Sequence, residues 1–329
     1  MFSQLVFLLA LIFAIQAKNY HHPKLHKSVP TANINADKDT IADRLHNDIR
    51  FSKLSEILSE TKGLRDNLGD AGLPMTLFAP TDDAFEELKH LPNFGWDNSE
   101  IVAYHTVQGS VSDKDFREGQ LLDSQLILET LKGGNQILKL VEHEDRWSVN
   151  FYAEVKETIK VRNGHIHLVN RVILPPPTIF QGLYMIPTQF SMFTSAAQHA
   201  HVDTALDKDK AISVFIVPNR AWERLGSRNL AHLFSPNGAQ DLEKILRYHM
   251  VDSLFYSREL GDKKSELTLH TFLKGESLHL KASRTRDKLQ ISINKNTVIT
   301  VTDVAAENGV VHIVDSVLIP SGVHLPEKV

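Results

Sequence analysis

The sequence predicts two tandem α+β domains, on three observations. The chain has 329 residues, about twice the usual length of one domain. The segments Asn163–Pro175 and Asn308–Pro320 align with each other without a gap. In each repeat, apolar residues first recur at helical spacing and then alternate as in strands. Helices followed by strands, twice over, indicate a duplicated α+β domain.

Further landmarks recur in the same order and support the duplication. The repeated pairs are Tyr104-His105 with Tyr248-His249, Leu77–Phe85 with Val214–Trp222, and Phe51-Ser52 with Phe190-Ser191. Such ordered self-similarity is the signature of a repeated domain. Prolines cannot continue a central strand or a helix, so Pro175-Pro176-Pro177 predicts a boundary. We therefore expect domains at 38–175 and 181–320, a Pro-rich linker at 176–180 and a C-terminal tail at 321–329.

Local patterns predict individual elements. Thr40 to Ser59 carries apolar residues at near-helical spacing, namely Ile41, Leu45, Ile49, Leu54, Ile57 and Leu58. Asp82–Leu88 and Asp241–His249 are also predicted helices, and the first begins with acids. Asn163-Gly164 predicts a hairpin turn, because both residues tolerate positive φ. After it, Ile166 and Leu168 share one face of a strand while His165 and His167 share the other.

Composition limits the function. The formal net charge is -4, and Lys and Arg form no dense stripe, so no nucleic-acid partner is predicted. The chain has no cysteine, which excludes disulfides, thiolate zinc sites and a Cys nucleophile.

The N-terminus predicts entry into the secretory pathway. Met1–Ala17 is uncharged and apolar, as in a cleaved signal peptide at 1–17, although an uncleaved anchor is the alternative. Residues 18–37 form a predicted disordered leader containing His and Pro. We expect an extracellular or cell-surface protein without a membrane span after cleavage. Because the sequence has no Asn-x-Ser/Thr acceptor, a vacuole-type lumen stays open.

Residues that could carry chemistry have simpler structural interpretations. His165 and His167 could both reach a metal, but no third ligand is evident, and the same holds for His199 and His201. Leader histidines 21, 22 and 26 could bind metal weakly. Asp82 and Asp83 are interpreted as helix caps. No catalytic, cofactor-binding or metal-binding residue is predicted, and no nucleophile elbow, zinc helix or phosphate loop occurs.

The repeated segments resemble the fasciclin domain family. Thr76–Phe85 resembles its opening box, the two Tyr-His pairs its central motif, and Asn163–Pro175 and Asn308–Pro320 its closing box. The family motif positions, interpreted as structural, are Phe78, Pro80, Thr81, Phe85, Tyr104, His105, Asn163, Gly164, His167, Tyr248, His249, Asn308, Gly309, His312 and Asp315. The resemblance covers about residues 38 to 320.

The resemblance implies a fold and a function. Each domain would be a compact β-wedge or sandwich with helices packed alongside. The family's members are mostly extracellular or cell-surface proteins of adhesion and matrix. It implies a non-enzymatic protein without a cofactor that binds a protein, the extracellular matrix or a cell-wall component. The alternative is a vacuole-type lumenal protein with a small-ligand or hydrolytic site between its domains.

Three positions depart from the family pattern. In the second repeat the proline falls one position late, at Pro218 instead of Val217, and Trp222 replaces the usual Phe. In the first repeat Asn170 stands where Asp is usual, as Asp315 does in the second. A binding site built on these boxes could therefore survive in only one domain.

Overall fold

A computed structural model describes residues 38–88, 95–208, 210–260, 265–285 and 288–327. The predicted signal peptide and leader lie outside these residues. The chain forms two compact units, here called the first and second domains. The first runs to Ile127 and resumes at Asn135–Pro175, and the second comprises Leu128–Gly134 and the chain from Pro176 onward. No described helix is long and apolar enough to cross a membrane.

The first domain places helices before most of its strands. Its described helices are α1 (Ile41–Asn47), α2 (Ser52–Glu60), α3 (Lys62–Gly69), α4 (Asp82–Leu88) and α5 (Asn98–His105). Its strands are β1 (Met75–Pro80), β2 (Thr106–Gln108), β3 (Leu121–Leu128), β4 (Gly134–His143), β5 (Arg146–Val149), β6 (Ala153–Val161) and β7 (Gly164–Val169). The strands form a closed barrel in chain order, which β1 closes by pairing in parallel with β7.

The second domain repeats this order. Its described helices are α6 (Ile179–Tyr184), α7 (Pro187–His199), α8 (Asp203–Lys208), α9 (Asn219–Glu223), α10 (Ser227–Leu233) and α11 (Ala239–Tyr248). Its strands are β8 (Ile212–Ile216), β9 (Met250–Val251), β10 (Glu266–His270), β11 (Ser277–Thr285), β12 (Lys288–Ile293), β13 (Thr297–Ala306) and β14 (Gly309–Val314). They form a seven-stranded sheet in which β8 again pairs in parallel with β14. The predicted α+β class is confirmed.

The core cluster of the first domain joins side chains of its helices to side chains of β1 and β7. Four side chains are almost fully buried in one cluster, namely Phe51 just before α2, Leu54 of α2, Leu77 of β1 and Ile166 of β7. Burial of such side chains contributes about 1.5–3 kcal/mol each. The helices therefore hold the same strand, β7, that carries the closing box.

The predicted helix from Thr40 to Ser59 is interrupted. Thr40 caps α1 through a capping box with Asp43, as expected for a helix start. The helix ends at Asp48, whose φ of -112° and ψ of 111° are extended. A short 3-10 turn follows, and it turns Ile49 outward to 85% exposure. The prediction that Ile49 continues the helical spacing is wrong, because the helix has already ended there.

The predicted linker and tail are partly built into the second domain. Thr178 caps α6, so the helix begins within the segment 176–180 that was predicted to be linker. Thr178 Oγ1 also donates to Asp207 Oδ1 at 2.6 Å. In the tail, Glu327 N–H donates to the buried Asn229 Oδ1 at 2.9 Å. The proline run could not reveal these contacts, since their partners are distant in sequence.

Helix α11 matches its prediction closely. Leu242, Ile245 and Leu246 are buried, and Tyr248 is 5% exposed on the same face. Tyr248 lies three residues after Ile245, the spacing that brings side chains to one face of a helix. His249 is the C-cap residue and is fully buried. The Tyr-His pair therefore enters the core directly from the helix end.

Candidate functional site: the repeated motif residues

The two tyrosines of the Tyr-His motifs occupy matching polar positions. Tyr104 Oη donates to Ile137 O at 3.0 Å, and Asn150 Nδ2 donates to Tyr104 Oη at 2.8 Å. In the second domain, Tyr248 Oη donates to Ser277 O at 3.1 Å and accepts from Asn294 Nδ2 at 2.8 Å. Each buried phenol is thus hydrogen-bonded twice, as buried tyrosines require.

Asn150 and Asn294 are motif residues that the sequence analysis missed. Both have positive φ, 50° for Asn150 and 49° for Asn294, a conformation that Asn tolerates. Their Oδ1 atoms accept main-chain N–H groups from Lys139 at 2.9 Å and His279 at 3.0 Å. Each Asn therefore ties a hairpin turn to a strand and a tyrosine. The signal was available, because the two residues follow Tyr104 and Tyr248 at equal spacing.

The histidines of these motifs are locked between two main-chain segments. His105 Nδ1–H donates to Ile101 O at 2.7 Å, and Ile173 N–H donates to His105 Nε2 at 2.8 Å. His249 repeats this with Ile245 O at 2.7 Å and Leu318 N–H at 3.1 Å. These partners fix one neutral tautomer. Burial lowers the pKa of both rings to about 4.

The histidines of the two closing boxes, His167 in β7 and His312 in β14, are also buried. His167 is fully buried, lies 5.1 Å from the Phe78 ring and 4.8 Å from the Phe116 ring, and is 2.9 Å from Val111 O through Nε2. Burial lowers the pKa of His167 to about 4. His312 likewise lies 5.3 Å from the Phe215 ring and 5.0 Å from the Phe255 ring. The histidine of each closing box is therefore the polar centre of an aromatic cluster.

The second partner of each closing-box histidine differs between the domains. His167 Nδ1 lies 2.9 Å from the Thr158 hydroxyl. His312 Nδ1 instead accepts the main-chain N–H of Asp303 at 3.3 Å. Asp303 has a φ of 54° at an irregularity in β13, and its carboxylate accepts from the N–H of Ser257 at 2.7 Å and also from the Ser257 hydroxyl. The second domain thus uses a main-chain N–H at Nδ1 where the first uses a side-chain hydroxyl.

Asn163 and Asn308 join distant helices to the final hairpin. Asn163 Oδ1 accepts from Ile41 N–H at 2.8 Å, and its Nδ2 donates to Leu68 O at 2.9 Å. Asn308 accepts from Ile179 N–H at 2.9 Å and donates to Leu206 O at 3.1 Å. Each amide satisfies buried main-chain groups at helix termini that have no partner within their own helix.

The glycines of the closing boxes serve a purpose other than the predicted turn. The hairpins form, but each Gly is the first residue of its strand, and neither Asn163 nor Asn308 has positive φ. The interpretation of Asn-Gly as the two central turn residues is therefore wrong. A Cβ on Gly164 would lie 1.7 Å from Met75 O, and one on Gly309 would lie 2.1 Å from Ile212 O. Glycine is needed because the parallel strand passes so close.

The opening box connects β1 to the helices. Phe78 and Pro80 are buried in β1, Phe85 is buried in α4, and Thr81 accepts the Ala84 N–H at 3.4 Å. Asp82 accepts the Lys53 N–H of α2 at 2.9 Å. In the second domain, Asn219 accepts the Met192 N–H of α7 at 2.9 Å. The prediction that Asp82 and Asp83 cap their own helix is wrong, because both lie inside its first turn.

Asn170, which departs from the family pattern, makes the same contact as its counterpart Asp315. Asn170 Oδ1 accepts from Glu154 N–H at 2.8 Å, and Asp315 Oδ1 accepts from Val298 N–H at 2.9 Å. Both amide and carboxylate oxygens can accept this bond. The replacement therefore preserves the geometry.

The histidines considered as possible metal ligands lie in different surroundings. His165 lies at the surface, with Nδ1 2.9 Å from the Ser110 hydroxyl, and its ring is 6.2 Å from that of His167. His199 and His201 are exposed near the end of α7. Within the described ranges, no group of three or more His, Cys, Asp or Glu side chains is placed to hold a metal.

Comparison with known proteins gives consistent matches. The fasciclin domain family model matches residues 49–175 and 188–320. Transforming growth factor-beta-induced protein ig-h3 of Oryctolagus cuniculus is 25% identical over 277 residues, covering 81% of this chain and 38% of that protein. Human periostin is 24% identical over 271 residues, covering 80% of this chain and 30% of its own length. The chain spans about a third of the length of these curated relatives.

A solved structure also matches over most of the chain. It is a FAS1 domain pair from the insect cell adhesion molecule Fasciclin I, with a TM-score of 0.43 and 18% identity. The match covers 83% of this chain and 97% of that one.

Proposed function

Because the chain belongs to the fasciclin domain family, we propose that it is a non-enzymatic adhesion protein of the secretory pathway. It would bind a protein, the extracellular matrix or a cell-wall component through its domain surfaces. The predicted signal peptide at 1–17 is consistent with delivery outside the cell. N-terminal sequencing of the mature protein should then begin at or near Lys18.

One observation supports this proposal most directly. The motif side chains most capable of acid-base chemistry are committed to internal hydrogen bonds in both domains. Both ring nitrogens of His105 and of His249 contact main-chain atoms, and both rings are buried. A general base must instead reach the proton that it removes. We infer that the family motif residues are structural and that recognition lies on exposed surface.

The test is a direct binding measurement with the mature full-length chain. Surfaces coated with extracellular-matrix protein or with cell-wall polysaccharide would be compared by surface plasmon resonance. We expect saturable binding to one coating, retained by Tyr248→Phe and lost by heat-unfolded protein. Absence of binding to both coatings, together with turnover of ester, peptide or glycoside substrates, would overturn the proposal.

A further inference from the structure

Two histidines lie on the solvent face of the first hairpin in the sheet of the second domain. In the antiparallel pair β10–β11, Thr268 faces His279 and His270 faces Ser277. Directly paired residues share one face of a sheet, as do residues two apart on one strand. His270 and His279 are therefore on the same face, and both are exposed. The leucines that directly precede them, Leu269 and Leu278, are buried on the opposite face.

The register places the two histidines on a diagonal of the sheet. Diagonal neighbours in an antiparallel pair are about 7–8 Å apart, within reach of long or aromatic side chains. His270 is next to the turn on the first strand, and His279 is two residue pairs farther from the turn on the second. Both imidazoles can therefore approach a single point above the sheet.

The ring hydrogen bonds are made by the Nδ1 atoms, and neither Nε2 atom has a hydrogen bond among the described residues. His279 Nδ1 lies 3.1 Å from Thr268 Oγ1, and His270 Nδ1 lies 3.1 Å from Ser277 Oγ. When a hydroxyl accepts the Nδ1–H, the Nε2 lone pair is available to a metal. Such a second hydrogen bond is the usual support of a metal-binding histidine. The two rings have the same support, each from the residue opposite.

The residues around His270 and His279 hold the main chain in place and repel a bound cation only weakly. The main chain of His279 is fixed by Asn294, whose Oδ1 accepts its N–H at 3.0 Å. The neighbouring cation on this face, Lys281, lies 3.1 Å from the Glu266 carboxylate. Because that pair is neutral as a whole, it opposes a bound cation weakly. Strands also hold ligands more accurately than loops do.

We propose that His270 and His279 chelate one divalent transition-metal ion through their Nε2 atoms, with water completing its coordination. Imidazole ligands suit zinc, copper and nickel ions, whereas calcium and magnesium prefer oxygen. The first domain lacks this pair. Lys139 takes the place of His279 beside Asn150, and Asp123 precedes Ser124, which pairs with β2 as Thr271 pairs with β9. The site is independent of the proposed adhesion function.

The test is calorimetric titration of the full chain with nickel or zinc chloride. The leader histidines 21, 22 and 26 would be replaced by Gln in every protein compared, to remove their weak binding. For a chelate, His270→Gln or His279→Gln alone should each weaken binding at least about tenfold, because the second ligand acts at high effective concentration. The matched control, His324→Gln on an exposed histidine of the same domain, should leave the affinity unchanged.

Two results would overturn the proposal. Independent histidines would lose part of the stoichiometry in each single variant while keeping the affinity of the rest. Binding unaffected by the double variant would place the metal elsewhere. Line broadening by copper in amide NMR spectra gives a second readout, and it should concentrate at residues 268–270 and 277–279. Because both side chains are exposed, the variants should keep the melting temperature of the parent.

Discussion

The two domains share their internal anchors but differ in how polar groups are accommodated around them. Tyr104 and Tyr248 keep the same double hydrogen bond, and His105 and His249 keep the same two main-chain partners. The closing-box histidines differ, since one has a Thr hydroxyl at Nδ1 and the other the main chain of a buried Asp. Contacts that join distant segments have thus been kept, while the Nδ1 contact of the closing-box histidine has diverged.

The opening boxes show the same distinction. Thr81 caps α4 with its hydroxyl, whereas Pro218 stands before α9 and provides no side-chain cap. Asp82 and Asn219 nevertheless both bond the main chain of an earlier helix. The local cap has been lost in the second domain, but the tie between elements persists.

The largest effect is expected where the two strands approach most closely. Gly164→Ala and Gly309→Ala would each place a methyl group against a main-chain oxygen, and Gly164 also has a φ of 146°. Each should destabilise its own domain by more than about 4 kcal/mol, enough to prevent folding. Urea unfolding followed by circular dichroism would measure this. Gly63→Ala in α3, where a methyl meets nothing within 4 Å, is the control and should fold normally.

The tyrosine anchors come next. Tyr248→Ala and Tyr104→Ala should each lower the unfolding free energy by about 3 kcal/mol or more, since a buried ring is removed. Tyr→Phe at either position should lower the unfolding free energy by less, because the packing of the ring is kept and only the hydrogen bonds of the hydroxyl are lost. Thermal unfolding measures both series. An unchanged melting temperature in Tyr248→Ala with loss of partner binding would instead make this motif a binding surface.

Acid should destabilise both domains through the buried histidines. The pKa values of His105, His167 and His249 fall to about 4, chiefly through burial, whereas unfolded histidine has a pKa near 6.5. Between these values the unfolded chain binds the extra protons. Stability is therefore full above about pH 6.5 and falls as the pH drops toward 4, by roughly 1.4 kcal/mol per pH unit for each ring.

Urea unfolding at pH 7, 6 and 5 would check this dependence. These conditions titrate histidine while most carboxylates stay ionised. An unfolding free energy that stays flat over this range would contradict the assignment of neutral buried rings.

The smallest effect is expected for the exchange of Asn170 and Asp315. Asn170→Asp and Asp315→Asn each retain the Oδ1 acceptor that binds the neighbouring strand. Each should change the unfolding free energy by less than about 1 kcal/mol, within the range of a single net hydrogen bond. Ala at the same positions removes the acceptor and should have the larger effect in parallel unfolding curves.

Apolar periodicity and internal repetition predicted the parts of the fold that depend on residue spacing. The α+β class, the duplication and the buried face of α11 were confirmed. Periodicity failed at Ile49, because it does not register that the main chain at Asp48 leaves the helix. It also could not assign Gly164, whose requirement comes from Met75 on a parallel strand. Pairings such as His270 with Ser277 and Thr268 with His279 depend on strand register, which spacing alone does not specify.

The tryptophan that replaces the usual Phe has a practical consequence. Trp222 is fully buried, and its Nε1–H has no hydrogen-bond partner among the described residues. It is also the only tryptophan after Trp147, so the second domain has a single indole. An indole shielded from water emits at shorter wavelength than a hydrated one. The fluorescence of Trp222 should therefore shift to the red when the second domain opens, giving that domain its own optical signal.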